Sequence, residues 1–315
     1  MAEDAALQRA AVEKLAAAGI EADEAEASVR WLWQAAKSQG GQDGYKSKFE
    51  GFVSRRALRE PAQYIVGTWP FYPLPEELKL RAPVLIPRPE TEELVDLIAS
   101  SYAAGAEGPS RILDVGCGSG AIILSLLHLF PSATGVALDP NPVAVSLTLE
   151  NAERCGVASR LQVIEAPVQT WDAAGDRGSF DLVVSNPPYI PSHEIEELQT
   201  EVRCFEDEGA LDGGGDGLDI VKALLQRISA DIGQARAKIF LEVHFTHPPV
   251  FEREAAAEAA AQDGCGTGGS KLLPAASGIQ LVRTACDFAG LPRFVELSYD
   301  PRETHRALKS QNRAM

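Results

Sequence analysis

The chain has 315 residues, 45% hydrophobic and 7% aromatic, enough to bury a large core and to fill two domains. A formal charge of −16 and a pI of about 4.8 argue against binding naked DNA or RNA through phosphate neutralisation, which needs clustered Lys and Arg. Five cysteines, at 117, 155, 204, 265 and 286, include no C-x-x-C pair and point to reduced thiols with no zinc site; no apolar run approaches the ~20 residues of a membrane span.

The start, Met1-Ala2-Glu3-Asp4, is acidic where transit peptides are basic, so no signal or presequence is expected there. Residues 5 to 18 and 22 to 37 carry helical periodicity through Leu7, Val12 and Leu15, then Ala25, Val29, Leu32 and Trp33. A third helix is expected over Ser47 to Leu58, and the three would form a small bundle with Trp31 and Trp33 in its core. Gly67 to Lys79, rich in proline and aromatic residues, reads as a short hairpin or linker. From about residue 80 strands alternate with helices, the signature of a doubly wound sheet. The expected division is therefore a helical domain at 1–75 and an α/β domain at 76–315, without internal repeats.

In the second part, the strand Ile112-Leu113-Asp114-Val115 runs into Gly116-Cys117-Gly118-Ser119-Gly120 and then the helical stretch Ala121 to Leu127. Glycines between strand and helix let a ligand approach the backbone, and the helix start leaves N–H groups free. The spacing also fits G-x-G-x-x-G/A with Ala121 in the last place, so a nicotinamide enzyme competes at this point. Asp139 ends the next strand, Thr134 to Leu138, where a carboxylate can accept both hydroxyls of an adenosine ribose in either cofactor class.

The strand Phe180 to Ser185 leads into Asn186-Pro187-Pro188-Tyr189. Each proline fixes φ and removes an N–H, so the loop presents acceptors in a set direction beside the Asn186 side-chain oxygen. A row of acceptors suits a planar group bearing NH2, and hydride transfer has no use for it. Asn186 and Pro187 are expected to accept the two N–H bonds while Tyr189 packs on the amide plane. An amide nitrogen is a poor nucleophile because its lone pair is delocalised into the carbonyl, so for a group of that kind holding it in position is most of the task. No His or Lys in this segment supplies a general base; His193 is expected on the surface.

Asp114-x-Gly116-x-Gly118-x-Gly120, Asp139 and the NPPY loop resemble the class I S-adenosylmethionine-dependent methyltransferases, with a Rossmann-like seven-stranded sheet. Longer stretches narrow this. Arg55-Arg56-Ala57 with Glu60 to Gly67, Val84 to Glu92, and Glu201-Val202-Arg203 with Glu206 and Ala210 to Leu218 resemble the HemK/PrmC release-factor glutamine methyltransferases. The ending, Phe240 to Val243 and Asp287 to Phe294, looks closest to the mitochondrial branch, and the likeness spans roughly residues 47 to 298. The resemblance implies methyl transfer from S-adenosyl-L-methionine to the glutamine of the Gly-Gly-Gln loop of a class I peptide-chain release factor. It makes Asn186, Pro187 and Tyr189 catalytic, and Asp114, Gly116, Cys117, Gly118, Gly120, Asp139 and Asn186 cofactor-binding. It also implies that residues 1–75 dock the substrate, with no metal, nucleic acid or membrane involved. The compartment would be the mitochondrial matrix, with a presequence missing from this chain, or the cytoplasm of a bacterium. The rivals are a nucleic-acid adenine-N6 or guanine-N2 methyltransferase, which uses the same loop on a flipped base, and a non-catalytic translation adaptor.

Two departures from the family pattern stand out. Where the family places an Asp near the adenine, this chain has Pro167, with Glu165 the nearest acid. The Ala/Gly-rich stretch from Glu254 to Ser270 reads as a helix extended into a flexible insertion without chemistry. Arg88 and Glu92 are either helix-capping residues or part of a loop closing over the cofactor. The glycine-acid run Asp212 to Asp219 reads as a mobile turn or lid, and Glu242 as a structural group near the sheet edge.

Overall fold

The computed structural model describes residues 2–102, 107–172, 180–232, 235–262, 272–273 and 277–303. Helix α1 (Ala2–Ala17) packs on α2 (Ala22–Arg56), which is broken at Gly41 (φ 65°) into the second and third predicted helices. Leu15, Leu32, Phe49 and Val53 fill the bundle core together with Ile65 of the short α3 (Ala62–Val66). Trp33 is in that core, stacked edge-on against Phe49, but Trp31 is not. It is 42% exposed and lies against Trp69, because its position on the helix faces the neighbouring hairpin rather than α1. That hairpin pairs β1 (Thr68–Trp69) with β2 (Leu78–Lys79).

The remainder is an α/β sheet. Helix α4 (Pro89–Ser100) precedes β3 (Arg111–Val115), α5 (Ala121–Leu129), β4 (Thr134–Asp139), α6 (Pro142–Arg154), β5 (Leu161–Glu165) and β6 (Leu182–Ser185). Then follow α7 (Thr200–Phe205), α8 (Asp219–Arg227), β7 (Ala237–Glu242), α9 (Pro248–Gln262), β8 (Ile279–Cys286) and β9 (Pro292–Tyr299). The strand order is β5-β4-β3-β6-β7-β9-β8; the first five are parallel, and β9 runs antiparallel between β7 and β8.

The central strands are apolar on both faces, as a sheet covered by helices on both sides requires. Ile112, Leu182, Val184 and Phe240 meet α4 and α5, while Leu113, Val183, Ile239 and Leu241 meet α8 and α9. Every parallel strand therefore ends at one edge, where its following loop is free to build a site. Bundle and sheet are joined by a buried ion cluster. Arg56, 1% exposed, donates to Glu201 Oε1 of α7 at 2.8 Å and pairs with Glu24, and Arg59 donates to Glu201 Oε2 at 2.7 Å. Against the upward pull of burial, the two arginines hold the Glu201 carboxyl below its ordinary range.

Of the Ala/Gly-rich stretch, α9 reaches Gln262, and residues 263–271 and 274–276 lie outside the described residues. Leu272 and Leu273 are buried, their N–H groups donating to Glu254 Oε2 at 2.7 and 3.2 Å.

Candidate active site

At the end of β3 the chain turns so tightly that Gly116 N–H and Cys117 N–H both donate to Leu138 O, at 2.8 and 3.0 Å. Gly118 then takes φ +57° and donates its N–H to Asp139 Oδ2 at 2.9 Å. A Cβ at Gly116 or Gly118 would meet no protein atom nearer than 3.9 Å, because both positions face open space beside the turn. Gly120 differs: a Cβ there would press on Leu124 and Thr148 at 3.0 and 3.1 Å, so the third glycine serves the packing of α5. Helix α6 anchors the loop from behind, with Thr148 Oγ1 donating to Gly118 O at 3.0 Å and Asn151 Nδ2 to Ser119 O at 2.9 Å.

The loop borders a cavity of about 310 Å³. Its wall includes Gly116, Gly118, Asp139, Asn186 and Pro187 from the predicted set, together with Val84, Leu85, Asn141, Pro167, Gln169, Asp207 and Ala210. Asp114, Cys117, Gly120 and Tyr189 do not line it. Asp114 lies beneath the loop, fully buried, and neither carboxylate oxygen has a hydrogen-bond partner among the described residues. Burial pushes its carboxyl up to about 7; the Ile123 amide, near it but outside hydrogen-bond geometry, pulls down and Asp139 adds to the rise. Cys117 is buried against Thr148, and burial raises its thiol well above the ordinary range. Pro167 is on the cavity wall while Glu165 is exposed away from it, so Gln169 carries the polar side chain on that side.

Charge within the cavity is one-sided. Among the described residues Asp139 and Asp207 are the charged groups of the lining, and no Lys or Arg joins them. Asp139 is 8% exposed; its oxygens accept from Gly118 N–H and Asn141 N–H, each at 2.9 Å, yet burial still raises its carboxyl above the usual range, with Asp207 adding to the effect. Asn141 also donates from Nδ2 to Asp207 Oδ2 at 2.6 Å, joining the loop after β4 to the turn after α7. A pyrophosphate would meet the Asp139 and Asp207 carboxylates with no counter-charge among the described lining residues, which favours a cationic ligand over an anionic one.

The NPPY loop begins where β6 ends. Ser185 is tied to β3 through Oγ and Val115 O at 2.6 Å, which leaves Asn186 at the cavity rim. Tyr189 is on the far side of the loop, its ring 6.4 Å from that of His244, and burial pushes its hydroxyl up to about 12. The glycine-acid run expected to be a mobile turn or lid is tied along this segment. Ile190 N–H donates to Leu211 O at 3.0 Å, Gly213 N–H to Ile190 O at 2.9 Å, and Ser192 N–H to Gly214 O at 3.0 Å. Its glycines permit close approach, since a Cβ at Gly217 would lie 2.3 Å from Tyr189 O, and His247 Nε2 donates to Asp216 O at 3.0 Å.

Arg88 occupies the N-cap position of α4 without a side-chain capping bond, and its guanidinium reaches both Glu206 oxygens at 2.8 Å. Glu92 accepts from Tyr72 N–H at 3.0 Å and caps the hairpin. His193 is exposed, as expected. Glu242 departs from expectation: β7 is an interior strand between β6 and β9, so its last residue is fully buried behind Asn186 and not near a sheet edge.

Residues 112–208 match a family described as a methyltransferase domain. The human MTRF1L release factor glutamine methyltransferase is 40% identical over 257 residues, covering 78% of this chain and 69% of that protein. The chain belongs to the release factor glutamine methyltransferase family. Release factor glutamine methyltransferases from bacteria match as well: that of Cereibacter sphaeroides is 37% identical over 75% of this chain and 83% of its own length, and that of Geobacter sulfurreducens 43% identical over 56% and 58%. The aligned part thus reaches less than two thirds of the Geobacter protein. The glycine loop, the downstream acid and the NPPY segment were all found by sequence reasoning. It missed Asp207, Thr148 and Asn151, and it gave Thr91 no role. These act through residues distant in sequence; Thr91 falls in a stretch matched to the family, whereas Thr148, Asn151 and Asp207 fall in none and carried no local signal.

Proposed function

We propose that the chain methylates the side-chain nitrogen of the glutamine in the Gly-Gly-Gln loop of a class I peptide-chain release factor, with S-adenosyl-L-methionine as methyl donor. The observation that carries the reading is the cavity: among the described residues it presents two carboxylates and no cation, with Asn186 on its wall and backbone approach at Gly116 and Gly118. A positively charged adenosyl ligand fits that lining. Asp139, fixed by two backbone N–H donors, keeps lone pairs for ribose hydroxyls, the apolar wall of Val84, Leu85, Ala166 and Pro167 suits a flat base, and Asp207 faces positive charge. When bound, that ligand supplies a sulfonium-activated methyl group. The protein's own part is to hold the amide. Asn186 Oδ1 and the Pro187 carbonyl accept its two N–H bonds and turn the nitrogen lone pair towards the methyl group, the positional form of catalysis. No side chain is assigned as general base: the amide nitrogen would release its proton to water once the new N–C bond has formed, because an N-alkylated amide cation is strongly acidic.

The helical bundle, residues 1–75, is proposed as the part that docks the folded substrate, supported by its own core and its ion-paired seam with α7. A release-factor substrate puts the enzyme where that factor works, in the mitochondrial matrix or the bacterial cytoplasm. The test is incubation with labelled S-adenosylmethionine and either a release factor or an oligonucleotide, followed by mass spectrometry. Label on the Gly-Gly-Gln glutamine is the expected result; label on the oligonucleotide, lost steeply as salt rises, would replace the substrate assignment with a nucleic acid.

A further inference from the structure

Asn186 can accept an N–H from a substrate amide only if its side-chain oxygen, and not its nitrogen, faces that amide. The two ends of a primary amide are nearly the same size and differ in hydrogen-bond polarity, so shape alone does not choose between them. The residues behind Asn186 do. Its Nδ2 donates to Thr91 Oγ1 at 3.2 Å, and the Thr91 hydroxyl donates to Glu242 Oε2 at 2.8 Å. Thr91 lies in the first turn of α4, Glu242 ends β7 and Asn186 follows β6, so three separate elements converge. Thr91 is 3% exposed and Glu242 0%, so bulk water does not compete for these bonds.

An ionised carboxylate only accepts. It takes the single hydrogen of the Thr91 hydroxyl, whose oxygen is left with lone pairs for Asn186. The reverse placement of the amide would set its oxygen against the Thr91 lone pairs and the carboxylate with no hydrogen between them. Resting on the role given to Asn186 above, we propose that Thr91 and Glu242 are positioning residues: a one-way chain of hydrogen bonds from Asn186 through Thr91 to Glu242 sets the polarity of the Asn186 amide, so the site selects a substrate nitrogen that donates.

The chain carries a pH signature. Glu90 of α4, Arg293 of β9 and Tyr189 face Glu242 along with Thr91 and Asn186; the Asn186 amide is near enough to lower the Glu242 carboxyl directly, but its hydrogen bond of good geometry goes to Thr91, and Oε1 of Glu242 is left without one among the described residues. Burial drives its carboxyl up to about 7, against the lowering influence of Thr91, Arg293 and Asn186. Once protonated, Glu242 can donate to Thr91, the hydroxyl is released to turn, and the Asn186 amide is free to invert. At saturating cofactor the methylation rate therefore falls as pH drops through the neutral range.

The experiment compares Thr91→Val, Thr91→Ser and Glu242→Gln with the unmodified full chain, after thermal unfolding and cofactor titration have shown each to be folded. Thr91→Val keeps the shape and loses the hydroxyl, so kcat should fall roughly tenfold or more with cofactor affinity within about twofold, as for an interaction that orients the reacting group. Thr91→Ser should retain most of the rate. Glu242→Gln, which can donate as well as accept, should lower kcat and flatten the acid limb. A readout independent of turnover is the side-chain NH2 of Asn186 by NMR: its hydrogen exchange should be slow in the unmodified chain and faster in Thr91→Val. Wild-type kcat in folded Thr91→Val, equal losses in the Ser and Val variants, or an Asn186 NH2 that exchanges as fast as a free amide would each overturn the proposal. Failure of the substrate assignment looks different: the unmodified chain leaves release factor unlabelled while the exchange difference persists.

Discussion

Replacing Asp139 with Ala removes the carboxylate that the glycine loop holds against the cofactor cavity. Both oxygens already accept one backbone N–H, from Gly118 and Asn141 at 2.9 Å, so the group is fixed before any ligand arrives. A hydrogen bond to a charged acceptor contributes about 1.5–3 kcal/mol, and two ribose hydroxyls would set an upper bound of about twice that. The two bonds share one group, and in the alanine variant water reaches the freed N–H donors, so the net loss is about 1–3 kcal/mol, or roughly fivefold to a hundredfold in Kd. Isothermal titration with S-adenosylmethionine measures it, with a thermal melt as the fold control. Asp139→Asn keeps one acceptor oxygen and should lose less. Burial raises the Asp139 carboxyl in the folded protein, so the ionised acceptor disappears as pH falls through that raised value. Affinity of the unmodified chain should therefore weaken towards acid while that of Asp139→Asn stays level. Unchanged affinity in a folded alanine variant would refute the placement of the ribose.

Asn186→Ala should lower kcat by roughly a hundredfold while cofactor affinity changes by no more than about threefold, since the interaction lost is with the substrate amide; equal losses in both would count against its role. Gly118→Val combines a side chain at the cavity with a positive φ that a β-branched residue resists, so titration should detect no cofactor binding, and retained binding would mean the pocket lies elsewhere. Arg56→Leu should destabilise the fold by about 2–4 kcal/mol in urea unfolding, at or below the usual cost of breaking a buried pair because Arg59 still holds Glu201; an unmoved midpoint would show the seam to be energetically neutral. For Asp114 the folded pKa lies above the unfolded one, so its contribution to stability is complete below the ordinary carboxylate range and is lost as pH rises through about 7. Asp114→Asn should flatten the fall in stability across that window, measured by denaturant midpoints on either side of neutrality, and an unchanged slope would contradict its burial as a carboxyl.

The glycine loop, Asp139 and the NPPY segment were legible because each is a local pattern: strand, turn and helix contiguous in sequence, with the polar group at the junction. Helix periodicity located the bundle for the same reason, though the third helix begins just after Gly41, earlier than the apolar stripe from Ser47 suggested. Trp31 was misplaced because periodicity reports which residues share a face, not which neighbour covers it. Glu242 was misjudged because β9 covers that side of β7, and nothing in residues 237–242 announces that a later strand inserts beside them. Thr91 and Glu242 are 151 residues apart, and Arg56 and Glu201 are 145 apart. Pairings at that distance leave no periodic trace. The family stretches contained these residues without saying what they touch, and the glycine-acid run looked mobile from composition because its small residues exist to let two backbones approach.

The place of β9 bears on how the protein comes into being. It lies between β7 and β8, so β8 reaches the sheet only through a strand that follows it in the chain. A polypeptide emerging from the ribosome holds β7 with a bare edge and β8 with nowhere to pair until residues 292–299 have been made. Those residues also bring Arg293 towards Glu242 and give Val243 N–H its acceptor, Arg293 O at 2.9 Å. The wall behind Asn186 is thus among the last parts to be completed, and a chain interrupted before β9 would display an open, aggregation-prone edge beside an unfinished site.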